Sequence, residues 1–249
     1  MASRNLVKFF YKLSNNSLND LYFTKSLNDP HLAVQKLFNT NNSEMNTATE
    51  GLIVPIYFLT PEQMRNAIKN NIWVIFVRNP LDRLLSAWMD KFKEKKKNEY
   101  YLNLETEMIS QVRGSSRKNA SDYLTLSEFF TFLKINCHQS WNFDIHWRPM
   151  SQLCDVCAID FDFIGKLETV EKDIERLQNK LKFEREKSRI STKQMKLPSS
   201  KTNERRYKEL RGKVPRELTE FVLFKIYKND YELFGYDLQK DIDDVYGTN

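Results

Sequence analysis

The sequence predicts an α/β fold with a small, mostly parallel sheet flanked by helices, and three observations carry that prediction. Ile72 to Val77 is an unbroken apolar run of strand length, rich in β-branched residues, as expected of a strand buried on both faces of a parallel sheet. Arg78-Asn79-Pro80 ends the run, and Pro80, which has no N–H to satisfy, suits the first turn of a helix. From Leu81 the period becomes helical, with Leu81, Leu84, Leu85, Trp88, Met89 and Phe92 on one face. The chain of 249 residues is long enough for one such domain or two small ones. We expect a single domain over residues 1–240 and a mobile tail over 241–249.

The elements follow in order. Residues 4–14 read as a short helix, with Leu6, Phe9, Phe10 and Leu13 on one side. Residues 15–50 are rich in Asn, Ser and Thr and read as a long loop, with one short helix at His31–Phe38. Residues 53–58 read as a strand. Thr60-Pro61-Glu62-Gln63 starts a helix that runs to about Asn70, with Thr as cap, Pro at the first position and an acid in the first turn. After the helix that begins at Leu81, the basic run Lys91–Lys97 reads as a solvated helix end or a contact for an anionic partner. Residues 114–122 are a polar loop, and Leu126–Ile135 is a helix with Phe129, Phe130 and Leu133 inward. An aromatic stretch, 141–149, precedes a strand at Phe161–Gly165. A charged helix from Glu168 to about Lys187 carries the stripe Val170, Ile174, Leu177, Leu181. Residues 188–203 read as a Ser/Thr/Lys-rich loop, and Pro215 starts another helix with Leu218, Val222 and Ile226 inward. Tyr227–Phe234 closes the domain.

Composition narrows the function classes. The excess of 39 basic over 33 acidic residues suits an anionic ligand or a glycan and is too small to argue for nucleic acid. No apolar run is long enough to span a bilayer, and no secretory signal is visible. Asn-x-Ser/Thr sequons occur at Asn15, Asn41 and Asn119. Cys154-x-x-Cys157 is open to three readings: half of a zinc site, a redox pair or a disulfide partner. The nearby His138 and His146 fit no common finger spacing.

Arg78 stands at the carboxyl end of a buried strand, where open α/β sheets bind ligands. Ser86 lies near the second turn of the helix that follows. A fixed cation, helix N–H groups and a hydroxyl together make an anion site. The alternative is that Arg78 caps a helix or pairs with Asp82. Among the three histidines, His146 is the candidate general base, with Asp144 near enough in sequence to orient it. The alternative is a loop histidine packed beside Trp147.

Arg78-Asn-Pro-Leu-Asp-Arg-Leu-Leu-Ser86-Ala resembles the 3′-phosphate motif of the Golgi carbohydrate sulfotransferases of the chondroitin/dermatan 4-O-sulfotransferase group. That family usually has Asp at the place of Asn79 and Phe at that of Leu81. His146-Trp-Arg-Pro149, Leu153-Cys-Asp-Val-Cys157 and Phe161–Thr169 resemble the family's central block. Tyr227–Tyr236 resembles its carboxyl-terminal signature, and the three blocks run in family order. The resemblance implies a P-loop-like sulfotransferase fold. It also implies transfer of a sulfuryl group from 3′-phosphoadenosine 5′-phosphosulfate (PAPS) to a glycan hydroxyl, with no metal and no nucleic acid. Arg78 and Ser86 would hold the 3′-phosphate, and Arg148 and Lys166 would contact the acceptor. Ser3, Arg4 and Asn5 resemble the end of the 5′-phosphosulfate loop, whose preceding strand and Pro-Lys pair are missing, so an amino-terminal truncation or a degenerate loop is expected. In the family setting the full-length protein is a type II membrane glycoprotein of the Golgi lumen, anchored by a segment absent here, with Cys154 and Cys157 oxidised to disulfide. The alternative is a sulfotransferase-like protein that binds nucleotide or glycan without catalysis.

Overall fold

The computed structural model describes residues 60–62, 65, 69, 72–93, 98–114, 123–154, 156–180 and 200–248. The elements expected at 4–14, His31–Phe38 and 53–58, and the candidates Ser3, Arg4 and Asn5, lie outside them. Residues 61, 62, 65 and 69 are helical, in keeping with the helix start expected at Thr60-Pro61.

β1 (Val74–Val77) is followed by α1 (Pro80–Trp88), which runs on into a π-helical turn, Met89–Lys93. Then come α2 (Glu99–Arg113), α3 (Leu126–Ile135), a 3₁₀ turn at Cys137–Asn142 and the short α4 (Met150–Leu153). β2 (Phe163–Lys166) leads through a 3₁₀ turn into α5 (Val170–Lys180). α6 (Ser200–Lys213), α7 (Arg216–Ile226), α8 (Lys228–Phe234) and α9 (Leu238–Tyr246) complete the order. The predicted fold class holds: the described residues are mixed α/β, mostly helical, with a parallel two-stranded sheet. None of the described helices is long and apolar enough to cross a membrane.

The chain divides into two compact units, residues 1–77 with 152–197 and residues 78–151 with 198–249. In the first, β1 and β2 pair in parallel, Val74 opposite Phe163 and Val77 opposite Lys166. Trp73, Val74, Ile75 and Val77 are buried, as a strand covered on both faces requires. Gly165 sits opposite Phe76, and a Cβ there would lie 2.4 Å from the Phe76 ring, so the ring covers this stretch of β2 only because residue 165 has no side chain. Asp173 fastens α5 to the end of β2, accepting from Lys166 N at 2.9 Å and Thr169 Oγ1 at 2.6 Å. Val170, Ile174 and Leu177 form the buried stripe of α5.

In the second unit, Asn79 is the N-cap of α1, its side chain accepting from Asp82 N at 3.0 Å, and Pro80 takes the first helical position. Leu81, Leu84, Leu85, Trp88 and Phe92 are buried together with Phe129, Phe130 and Leu133 of α3 and Val222, Leu223 and Ile226 of α7. A capping box of Thr125 and Glu128 starts α3. Burial opposes ionisation of Glu128, yet the hydrogen bonds from Arg113 and Thr125 hold its pKa down to about 2.

Four expectations are corrected. α2 was not anticipated; Asn98 caps it, and its inward positions include Leu104, Met108 and Val112. Residues 200–203, expected in a loop, begin α6. The expected tail from 241 belongs to α9: Asp237 caps that helix and Ile242 and Val245 are buried. No disulfide joins Cys137, Cys154 and Cys157; Cys154 is buried where Cys157 is exposed, so the two thiols of the pair face different surroundings.

Candidate active site

The candidate site is built in the second unit from α1, the loop 143–149 and the helices that hold that loop. Arg78 immediately precedes the cap of α1, and Ser86 lies two turns along it, half-buried. The N-cap of α1 is Asn79, the residue after Arg78. Asp82 is buried; Asn203 of α6 donates to its Oδ2 at 2.9 Å.

Loop 143–149 is irregular yet largely buried, so its backbone groups need partners. They find them in side chains far away in sequence. Arg83 of α1 donates from one guanidinium nitrogen to Arg148 O at 2.5 Å and from another to Ile145 O at 2.6 Å. The Tyr227 hydroxyl donates to Trp147 O at 2.5 Å. Asp230 accepts from Met150 N at 2.7 Å and Ser151 N at 2.8 Å. Arg148 turns inward, its Nε donating to Phe143 O at 2.9 Å. The indole of Trp147 is buried, its ring centroid 5.6 Å from both Phe92 and Phe129. All three family-like blocks thus meet at this one loop.

The loop presents His146. Asp144 forms a tight turn in which its Oδ1 accepts from His146 N at 2.9 Å and stands 2.6 Å from His146 Nδ1. A carboxylate oxygen at that distance fixes the proton on Nδ1, and Nε2 is left as the acceptor. Among the described residues Nε2 has no hydrogen-bond partner. Tyr100 and Tyr101 donate to Asp144 Oδ2 at 3.3 and 3.5 Å, and Tyr101 also lies 3.0 Å from Nδ1. Burial, and then the charge of Asp144, push both phenols above their ordinary value, so they stay protonated donors. Burial opposes ionisation of Asp144, but the bonds from the His146 ring and backbone hold it below the usual carboxylate range. The result is a carboxylate–imidazole pair poised to accept a proton at Nε2.

Of the expected site residues, Arg78, Ser86, His146 and Arg148 fall in this unit, with Arg148 bonded within the loop. Lys166 ends β2 in the other unit. His138 is exposed on the 3₁₀ turn. Among the described residues no group of three or more His, Cys, Asp or Glu is placed to hold a metal ion. The sequence did not single out Arg83, Tyr101, Tyr227 or Asp230. Their roles are contacts across many residues; Arg83, Tyr227 and Asp230 at least fall within the family-like blocks, whereas nothing local marks Tyr101.

The family model described as "Sulfotransferase family" matches residues 1–237. Carbohydrate sulfotransferase 14 of Mus musculus is 36% identical over 116 residues, 46% of this chain and 30% of the relative. Carbohydrate sulfotransferase 9 of Homo sapiens is 31% identical over 175 residues, 65% of this chain and 37% of the relative. Carbohydrate sulfotransferase 11 of Rattus norvegicus is 31% identical over 116 residues, covering 45% of this chain and 33% of its own. The chain therefore spans about a third of the length of these relatives. No solved structure matches it significantly. With the family match covering nearly the whole chain and the three blocks meeting at one loop, the chain belongs to the sulfotransferase family.

Proposed function

We propose that the chain carries the donor-anchoring and proton-accepting parts of a carbohydrate O-sulfotransferase that uses PAPS and a glycan acceptor. The observation that carries this is the His146–Asp144 pair, held at 2.6 Å on a loop that Arg83 ties to the same helix as Ser86. The names of the relatives support the acceptor class, and one family match across residues 1–237 supports reading the chain as one sulfotransferase domain that includes α9.

The bound donor supplies an activated sulfuryl group whose leaving group is a phosphate. Arg78 and the hydroxyl of Ser86 are the groups assigned to its 3′-phosphate, since Asn79 itself takes up the Asp82 N–H at the start of α1. The acceptor hydroxyl oxygen forms the new bond to sulfur as the sulfur–phosphate oxygen bond breaks, and the hydroxyl proton passes to His146 Nε2. Asp144 keeps the other ring nitrogen protonated and stabilises the imidazolium that forms. The two tyrosines hold Asp144 in place. Ser3, Arg4 and Asn5 are assigned to the 5′-phosphosulfate end, and Arg148 and Lys166 to acceptor anions, on the resemblance alone. The same family setting supports a Golgi-lumenal enzyme tethered by an anchor outside these residues.

A sulfate-transfer screen over glycosaminoglycans with the full chain tests the reading, and transfer to one acceptor class is the expected result. Donor binding without transfer to any acceptor would favour a sulfotransferase-like binding protein instead.

A further inference from the structure

Arg206 lies on α6, one helical turn beyond Asn203. The Asn203 amide donates to Asp82 on the first turn of α1, which seats that face of α6 beside the end of α1 that Arg78 precedes. Nε and one terminal nitrogen of Arg206 are shut off from solvent and have no hydrogen-bond partner among the described residues. A guanidinium with buried, unanswered N–H groups is costly, because each has given up water and gained nothing. Burial, and then the like charge of Arg78, push the Arg206 pKa down, while Asp82 acts in the opposite direction. Asp82 already accepts from Asn203, and it bonds neither of these two nitrogens.

An anion would remove both costs at once. A phosphate monoester carries close to two negative charges at neutral pH and three acceptor oxygens. That matches two planar guanidinium forks better than a singly charged sulfate ester does. We propose that Arg206 is a second cation of the donor site, reaching from α6 to the same terminal phosphate monoester as Arg78. This rests on the donor reading above. It gives α6 a function in recognising the 3′-phosphate and makes Arg206 a specificity residue for 3′-phosphorylated nucleotides.

The test is calorimetry of the full chain and of Arg206→Met with adenosine 3′,5′-bisphosphate and adenosine 5′-monophosphate, with ligand-free melting temperatures measured alongside. The expected result is that Arg206→Met weakens bisphosphate binding by about 10–100-fold, the scale of hydrogen bonds to a charged group. It leaves the monophosphate affinity unchanged, and its ligand-free melting temperature equals or exceeds the parent's. Arg206→Lys, which keeps charge but loses the fork, falls between the two for the bisphosphate. Equal bisphosphate affinity in parent and Arg206→Met overturns the assignment of Arg206 and leaves the donor reading standing. A lower ligand-free melting temperature in Arg206→Met marks a structural arginine and also overturns it. A parent chain that binds neither nucleotide overturns the donor reading, and this inference falls with it.

Discussion

The buried carboxylate of Asp241 and its two donors give the clearest pH effect at the scale of single residues. Asn79 Nδ2 donates to Asp241 Oδ2 at 2.7 Å and the Tyr231 hydroxyl donates to the same oxygen at 2.6 Å. Burial nevertheless dominates and pushes the Asp241 pKa up to about 6 from 3.8. A carboxyl whose folded pKa is raised binds its proton more tightly when folded. Its contribution to stability is complete below the unfolded pKa and is lost as pH rises through about 6. By linkage the loss is at most about 3 kcal/mol. Asp241→Asn keeps one oxygen for both donors and removes the charge. We expect it to melt higher than the parent at pH 8, with little difference at pH 4; thermal melts at the two pH values decide. The lowered pKa values of Asp144 and Glu128 act the other way and only in acid, below their ordinary range. The same geometry gives the Asn79 side chain two tasks: its oxygen caps α1 and its amide donates to Asp241, whereas a carboxylate there would face another carboxylate. At the site itself, His146→Ala is expected to slow transfer by roughly 10²–10⁴-fold with donor affinity near the parent value. Transfer at the parent rate in a folded, donor-binding variant would place the base elsewhere.

Elements matter here through how they hold loop 143–149. Arg83 spans two carbonyls with a fork that Lys cannot reproduce, and removing it leaves two acceptors short of partners. Arg83→Ala is expected to cost roughly 2–4 kcal/mol in denaturant unfolding. Arg83→Lys should recover only part of this, and both variants should lower turnover more than donor affinity. Asp230→Asn loses one of two carboxylate bonds to the first N–H groups of α4 and should cost about 1–2 kcal/mol, read from the same unfolding curves. On the sheet, Gly165→Ala sets a methyl against the Phe76 ring and should destabilise by about 1–3 kcal/mol.

Across the whole molecule, what was legible followed from local pattern. β1 and α1 could be read because an apolar run gives way to a helical stripe at a proline, and α3, α5 and α7 because each carries its own apolar face. α6 was not legible. Of its inward-facing positions Asn203, Arg206, Tyr207 and Leu210, only Leu210 is plainly apolar, so no stripe marks it; Leu210 and Tyr207 pack on the core while Asn203 answers to Asp82. α2 was legible in principle, since Leu104, Met108 and Val112 recur at helical spacing behind an Asn cap, but its many exposed charges dilute the signal. α9 was hidden by its position at the chain end. Arg78, Ser86 and His146 were visible as motif residues. The clamp around His146 was not, because Arg83, Tyr227 and Asp230 act on carbonyls and N–H groups more than 60 positions away, a relation that no local period records.

The central claim is that α1, led by Arg78, anchors a 3′-phosphorylated nucleotide. Its most direct test is the affinity of the full chain and of Arg78→Ala for adenosine 3′,5′-bisphosphate, measured by calorimetry. The account predicts a loss of about 1.5–3 kcal/mol in the variant, the scale of hydrogen bonding to a charged group. An unchanged affinity in a folded Arg78→Ala protein would contradict it.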